Sequence, residues 1–289
     1  MINRKSRIYV AGHKGLIGSA ILRKLRSKKY SNLIYKTRKQ LDLTNQIKFY
    51  NFLKKIKPDA VIIAAAKVGG IHANNTNKAE FIYENLEIQN NLIHGSFNAG
   101  VKNLIFLGSS CIYPKKSKQP MKEYYLLQGP LENTNEGYSI AKISGIKLCE
   151  YYNKQFGLNY KSFMPPNMYG PKDNYDLNNS HFYPALLRKI FTAKIKKKNT
   201  LEVWGSGKVK RELMFVEDFA DSIVFFIGKK IKEPYINIGT GKDYTINWYA
   251  NFIMKKLNIK AQRVWATTYI YALSYKVPIR EIRLVHTSY

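Results

Sequence analysis

The sequence predicts an α/β chain: a Rossmann-type, doubly wound parallel sheet followed by a smaller C-terminal lobe. Segments of β-branched and apolar residues alternate with longer stretches of helical period, the pattern of βαβ units. Gly12, Gly15 and Gly18 fall directly between the first such strand and the first helix. Beyond Pro165 the alternation weakens, and Pro, Gly and Asn cluster over 165–179, so a change of lobe is expected there. The division expected is 1–165 and 166–289.

Residues 7–11 (RIYVA) read as the first strand, and 16–26 as a helix, with Ile17, Ala20, Ile21 and Leu25 at helical spacing. A second strand is expected at 33–36. Thr44 can cap a helix reaching Lys57, Pro58 ends it, and 59–64 (DAVIIA) has the continuous apolar character of a strand buried on both faces. A long helix over 78–99 precedes the strand 103–108, and a helix over 136–156 precedes the strand 160–164. In the second lobe the pattern gives a helix at 181–193, strands near 202–204 and 213–216, and helices at 217–230 and 248–257. From about residue 264 no periodicity is evident.

Hydrophobic residues form 45% of the chain and charged residues 23%, which excludes disordered and fibrous classes. There is no run of 18 apolar residues, and the polar start leads straight into a strand; a cytoplasmic protein without a membrane association is expected. Cys111 and Cys149 are too few for a disulfide framework. The net charge of +29 is spread among heavily used Lys, Asn, Ile and Tyr, with Lys196 to Lys198 the longest basic run. That distribution fits compositional drift better than a nucleic-acid surface, for which interleaved stacking aromatics are missing from the pattern.

Glycines between a strand and a helix let the backbone turn tightly and approach a pyrophosphate at the helix N-terminus. At the end of the second strand, where an NAD site places an acid for the ribose 2′-hydroxyl, the residues are Lys36, Thr37 and Arg38. With Lys14 in the loop, these cations favour the 2′-phosphate of NADP(H). Asp42, followed by Leu43 and Thr44, either contacts the adenine or precedes the helix cap.

Tyr138 and Lys142 stand four residues apart on a predicted helix and share a face. An ammonium near a phenol favours the phenolate, so the pair is expected to bring the tyrosine toward the working pH as an acid-base group. Ser109, at the end of the preceding strand, can donate to the carbonyl that Tyr138 protonates.

At this point the chain resembles the extended short-chain dehydrogenase/reductase family, in its nucleotide-sugar epimerase-reductase branch. The resemblance rests on AGHKGLIGSAI, AAAKVGGIHANN, FLGSSCIYP, YSIAKISGIKLCE, NMYGPKDN, NSHFYPALLRK and VWGSGKVKRE, in that order, across roughly residues 7–260. It implies NADPH-dependent 3,5-epimerisation and 4-reduction of GDP-4-keto-6-deoxy-D-mannose to GDP-L-fucose by a homodimer joined through the helices 78–99 and 136–156. It assigns catalysis to Tyr138, Lys142, Ser109, Cys111 and His181. It assigns cofactor contacts to Gly12, Lys14, Gly15, Leu16, Ile17, Gly18, Lys36, Arg38, Asp42, Leu43, Ala65, Tyr138, Lys142, Pro165, Asn167 and His181. Lys189, Trp204 and Arg211 are assigned to the substrate, Arg211 as a guanidinium for its diphosphate. No metal site is implied. Cys149, two turns beyond Lys142, reads as core.

Two departures stand out. Pro166 replaces the family's usual threonine, and after Val264 the chain lacks the family's KPDGTPRK-like stretch. The second predicts a substrate lobe that is altered or incomplete after about 264, and leaves open an inactive remnant that binds NADP(H) without turnover.

Overall fold

In the first strand, Ile8 and Val10 point to one side and Tyr9 and Ala11 to the other, and all four are buried. A strand covered on both faces is apolar throughout, as this one is. The computed structural model describes residues 2–259 and 262–266, with no side-chain description for His72 or 262–266.

The elements in order are β1 (Ile8–Ala11), α1 (Leu16–Ser27), β2 (Leu33–Ile34), α2 (Gln46–Ile56), β3 (Ala60–Ile63), α3 (Ile71–Thr76) and α4 (Lys78–Asn98). There follow β4 (Asn103–Leu107), α5 (Glu136–Phe156), β5 (Asn159–Met164), β6 (Asn167–Tyr169), α6 (Phe182–Ile195), β7 (Thr200–Trp204) and β8 (Lys210–Phe215). The last are α7 (Val216–Phe226), β9 (Tyr235–Asn237), β10 (Asp243–Thr245), α8 (Ile246–Lys256) and β11 (Gln262–Ala266).

Two compact units divide these elements. The first comprises residues 2–185 and 212–243, and the second comprises 186–211 and the described residues from 244 onward. Residues 166–185 and 212–243, expected in the second lobe, therefore belong to the first unit.

The first unit holds a parallel six-stranded sheet in the order β2-β1-β3-β4-β5-β9. On one face Tyr9, Val61, Ile63, Leu104 and Phe106 pack with Phe49 of α2, Leu92 of α4 and Ile146 of α5. On the other, Ile8, Val10, Ile62 and Ile105 pack with Ile21 and Leu25 of α1 and Phe219 and Ile223 of α7. The α1–α7 layer is tied at its rim by Arg23 with Glu217 at 2.5 Å and Lys24 with Asp221 at 2.7 Å. Both pairs are solvated and contribute little to stability. β6 runs parallel to β8, with Asn167 opposite Leu213.

In the second unit β7 pairs with β11 in parallel, Thr200 opposite Gln262 and Trp204 opposite Ala266. Its buried apolar residues include Leu186 and Ile190 of α6, Leu201 and Val203 of β7, and Ile253 and Met254 of α8.

Several sequence expectations shift. Thr44 does not cap α2: Asn45 does, its side chain accepting from the Lys48 N–H at 3.0 Å. The second strand is only two residues long. β9 and α3 were not foreseen, and β11 lies where no periodicity was read. Beyond 266, the altered tail lies outside the described residues. Among the described residues no helix is long and apolar enough to cross a membrane.

Candidate active site

The glycine loop is built by close contact. Gly12 adopts φ +82°, and a Cβ there would stand 2.6 Å from the Ala64 carbonyl carbon and the Ala65 nitrogen. A Cβ on Gly18 would collide with the Gly12 carbonyl oxygen. At Gly15 the nearest atom to such a Cβ is 3.5 Å away, an ordinary contact. The protein's own packing therefore requires Gly12 and Gly18, whereas the bare backbone at Gly15 leaves approach open. Gly15 is also the N-cap of α1, with no side-chain cap and no acidic residue in the first turn. The leading amides and the positive end of the helix dipole remain for an anion. These features fit a dinucleotide pyrophosphate, which the stretch Gly12 to Gly18 could hold, with Leu16 and Ile17 opening the helix.

Lys14, Lys36 and Arg38 are all exposed around this loop and the end of β2. Two residues that sequence reasoning missed stand with them. The His13 ring lies 4.7 Å from that of Tyr35, whose hydroxyl accepts from Arg26 at 3.0 Å. Desolvation, and then the charges of Lys14 and Lys172, hold the His13 imidazole below its ordinary pKa. The Asp42 carboxylate accepts from the N–H and hydroxyl of Thr44 at 3.1 and 2.9 Å, which lowers its pKa. Asn91 fixes this turn by donating to the Leu43 carbonyl at 2.9 Å. Ala65 follows β3 beside Gly12.

The catalytic candidates gather where β4 ends. Ser109 is extended and its hydroxyl accepts from the Cys111 N–H at 3.4 Å, opening a short 3-10 turn over Ser110–Ile112. Ser110 donates its N–H to the Pro165 carbonyl at 3.1 Å, which ties this turn to the end of β5. Ser139, next to Tyr138, donates to the Cys111 carbonyl at 3.0 Å, which ties it to α5. Its small hydroxyl side chain gave no sequence signal of that role.

Lys142 is 3% exposed, and its ammonium donates to the Leu107 carbonyl at 2.8 Å. It lies 4.7 Å from the Phe106 ring centre and 5.7 Å from that of Tyr138. Burial lowers the lysine to about 8, against the opposing effect of Cys111. Burial pushes the Tyr138 phenol above its ordinary value, and Cys111 adds to this. The direction is the reverse of that expected from lysine proximity, because desolvation outweighs a cation at this separation. Burial likewise raises the Cys111 thiol, outweighing hydrogen bonds with Ser109 and Ser139 and the charge of Lys142. A neutral phenol and a neutral thiol are both proton donors.

His181 precedes α6. It is solvent-exposed, and the surrounding protein still desolvates the ring enough to lower its pKa. The preceding loop is fixed by Asp176, whose carboxylate accepts from the N–H groups of Asn178 and Asn179 at 3.0 Å, and by Gly70, which donates to the Asn179 carbonyl at 3.0 Å. Among the described residues no hydrogen bond joins the His181 side chain to the Ser109, Cys111, Tyr138 and Lys142 group. Asn167 donates from its side chain to the Glu212 carbonyl at 3.3 Å. Cys149 is fully buried, its thiol pushed up to about 12, in agreement with a core role.

The substrate candidates lie in the second unit. The Lys189 ammonium sits 4.2 Å over the Trp204 ring, whose N–H donates to Glu202 at 3.1 Å. Burial lowers the lysine, and Glu202 opposes this. Arg211 donates to the Lys210 carbonyl at 2.8 Å, and its own carbonyl accepts from the Tyr249 hydroxyl at 3.0 Å.

Known proteins are similar to this chain in sequence and fold. A GDP-L-fucose synthase of Sinorhizobium fredii is 52% identical over 262 residues, covering 91% of this chain and 83% of that protein. One from Escherichia coli is 46% identical, covering 90% and 84%. The structure of a GDP-mannoheptose C4 reductase from Campylobacter jejuni with NADP bound is 37% identical with a TM-score of 0.84, covering 96% of both chains. Residues 8–239 match the NAD dependent epimerase/dehydratase family, and the chain belongs to it.

Proposed function

We propose that this chain converts GDP-4-keto-6-deoxy-D-mannose to GDP-L-fucose by 3,5-epimerisation and NADPH-dependent 4-reduction. The observation that carries the reading is the placing of a thiol, Cys111, in the same cluster as Ser109, Tyr138 and Lys142. Reduction of a ketone needs a proton donor and a carbonyl hydrogen bond; proton exchange at the neighbouring carbons needs a further acid-base group, which the thiol supplies.

The 4-keto group acidifies the C3 and C5 protons. Cys111 and His181 divide the roles of base and acid, one removing a proton and the other returning one to the opposite face. Ser109 and Tyr138 donate hydrogen bonds to the keto oxygen while negative charge builds on it. NADPH, when bound, supplies the hydride taken by C4. Tyr138 gives its proton to O4, so each sugar takes up one hydride and one proton. Lys142 holds α5 to the end of β4 and adds positive charge near the phenol as it ionises.

The glycine loop and α1 bind the cofactor pyrophosphate, and Lys14, Lys36 and Arg38 bind its 2′-phosphate. Arg211 and Lys189 meet the substrate diphosphate, and two copies associate through α4 and α5. A related GDP-sugar specificity is the second reading, favoured by the 41% identity to a GDP-L-colitose synthase of Yersinia pseudotuberculosis. Purified chain is mixed with NADPH and the GDP-keto sugar, and loss of NADPH absorbance with appearance of GDP-fucose is expected. NADPH binding without oxidation would refute the activity.

A further inference from the structure

Tyr113 and Asn237 join two distant stretches of the first unit. The Tyr113 hydroxyl donates to the side-chain oxygen of Asn237 at 2.6 Å. Tyr113 is 3% exposed and immediately follows the 3-10 turn that carries Cys111. Burial raises its pKa, so the hydroxyl remains a donor across the ordinary pH range.

Asn237 is a fixed point. It ends β9, where it stands opposite Met164 of β5. Its side-chain NH2 donates to the Met121 carbonyl at 3.1 Å, and its main-chain N–H donates to the Glu123 carboxylate at 2.9 Å.

The turn itself is weak. Its internal bonds are long, Ile112 N–H to Ser109 at 3.4 Å and Tyr113 N–H to Ser110 at 3.5 Å, as single 3-10 turns often are. Pro165 anchors it before Cys111, and Ser139 anchors the Cys111 carbonyl. The Tyr113 hydroxyl secures the far side.

We infer that Asn237 is a positioning residue for Cys111, acting through Tyr113. This rests on the function proposed above, in which the thiol exchanges protons with the sugar.

The test uses the full chain with Tyr113→Phe and Asn237→Leu, singly and together. Three quantities are read: solvent deuterium entering C3 and C5 of the GDP-keto sugar, NADPH affinity by fluorescence, and the rate of Cys111 alkylation by iodoacetamide. Buried Cys149 does not compete for the reagent.

Each single variant slows deuterium entry about tenfold at saturating sugar, a loss fitting sub-ångström misplacement of a reacting group. KM and NADPH affinity stay unchanged, and the alkylation rate shifts by the same factor in both. The double variant is no slower than the slower single, because one bond is being removed. Asn237→Asp, which keeps an acceptor for the phenol, recovers most of the exchange and stands in if Asn237→Leu does not fold. Additive losses, or wild-type exchange and alkylation in folded variants, would overturn the inference. If the wild-type chain binds NADPH yet exchanges no deuterium, the proposed function fails instead, and the alkylation comparison still decides the positioning role.

Discussion

The Lys142 ammonium donates to the carbonyl of Leu107, so the cation of the YxxxK pair is bound to the end of β4 and not to its tyrosine. Lysine beside an apolar sheet end is costly to charge, and its pKa falls to about 8. The unfolded chain keeps this proton up to the ordinary value of 10.5, the folded chain only to about 8. Within that window the unfolded state binds more protons, so this residue makes stability rise with pH; below it both states are charged and the burial cost is constant. Measured against Lys142→Met by urea unfolding at several pH values, the wild type should gain up to about 1.4 kcal/mol per pH unit within the window. A constant difference across the same range would contradict it.

Tyr138→Phe removes one oxygen from a half-buried ring. Turnover with the GDP-keto sugar should fall by about 10²–10⁴-fold, the usual worth of a positioned proton donor, while NADPH affinity holds. Stopped-flow NADPH oxidation beside a fluorescence titration separates the two, and near-normal turnover would remove the phenol from the mechanism.

Gly18→Ala and Gly15→Ala should differ. A methyl at 18 meets the Gly12 carbonyl, so the loop must shift, with loss of thermal stability even without cofactor. A methyl at 15 meets only an ordinary contact, so the apo protein should melt normally and NADPH affinity alone should drop. Melting curves with and without NADPH test this, and equal melting temperatures for the two apo variants would contradict it.

Arg38→Ala should reduce the preference for NADPH over NADH by about tenfold through loss of a charge-assisted bond to the 2′-phosphate. Paired dissociation constants are the measurement; a parallel weakening of both cofactors would argue against a contact to that phosphate.

Sequence pattern revealed whatever depends on local periodicity or bare residue type. The helix read over 136–156 is α5 to the residue, because its apolar spacing runs unbroken from Glu136 to the left-handed Gly157. The glycine loop was legible because bare glycines between a strand and a helix are a residue-type signal, and at Gly12 and Gly18 the packing leaves no room for a side chain. β9 was missed: its three residues between Pro234 and Ile238 are too few to show a period, and pairing with β5 creates the strand. Thr44 was misread as a cap because Asn45 beside it is also a capping residue type and takes that place, while the Thr44 N–H and hydroxyl bond to Asp42. The direction of the Tyr138 shift also escaped sequence reading, since spacing shows the lysine but not how deeply both groups are buried.

Gly70 has the Ser180 carbonyl so close that no side chain fits between them. Chain segments 110 positions apart are thereby locked into a common spacing. A substitution at 70 would push back the loop leading to His181, and an insertion near 176–180 would be felt in the loop after β3. Natural variation in either stretch should consequently arise in step with the other, and grafting one alone from a relative should damage proton exchange before it damages cofactor binding.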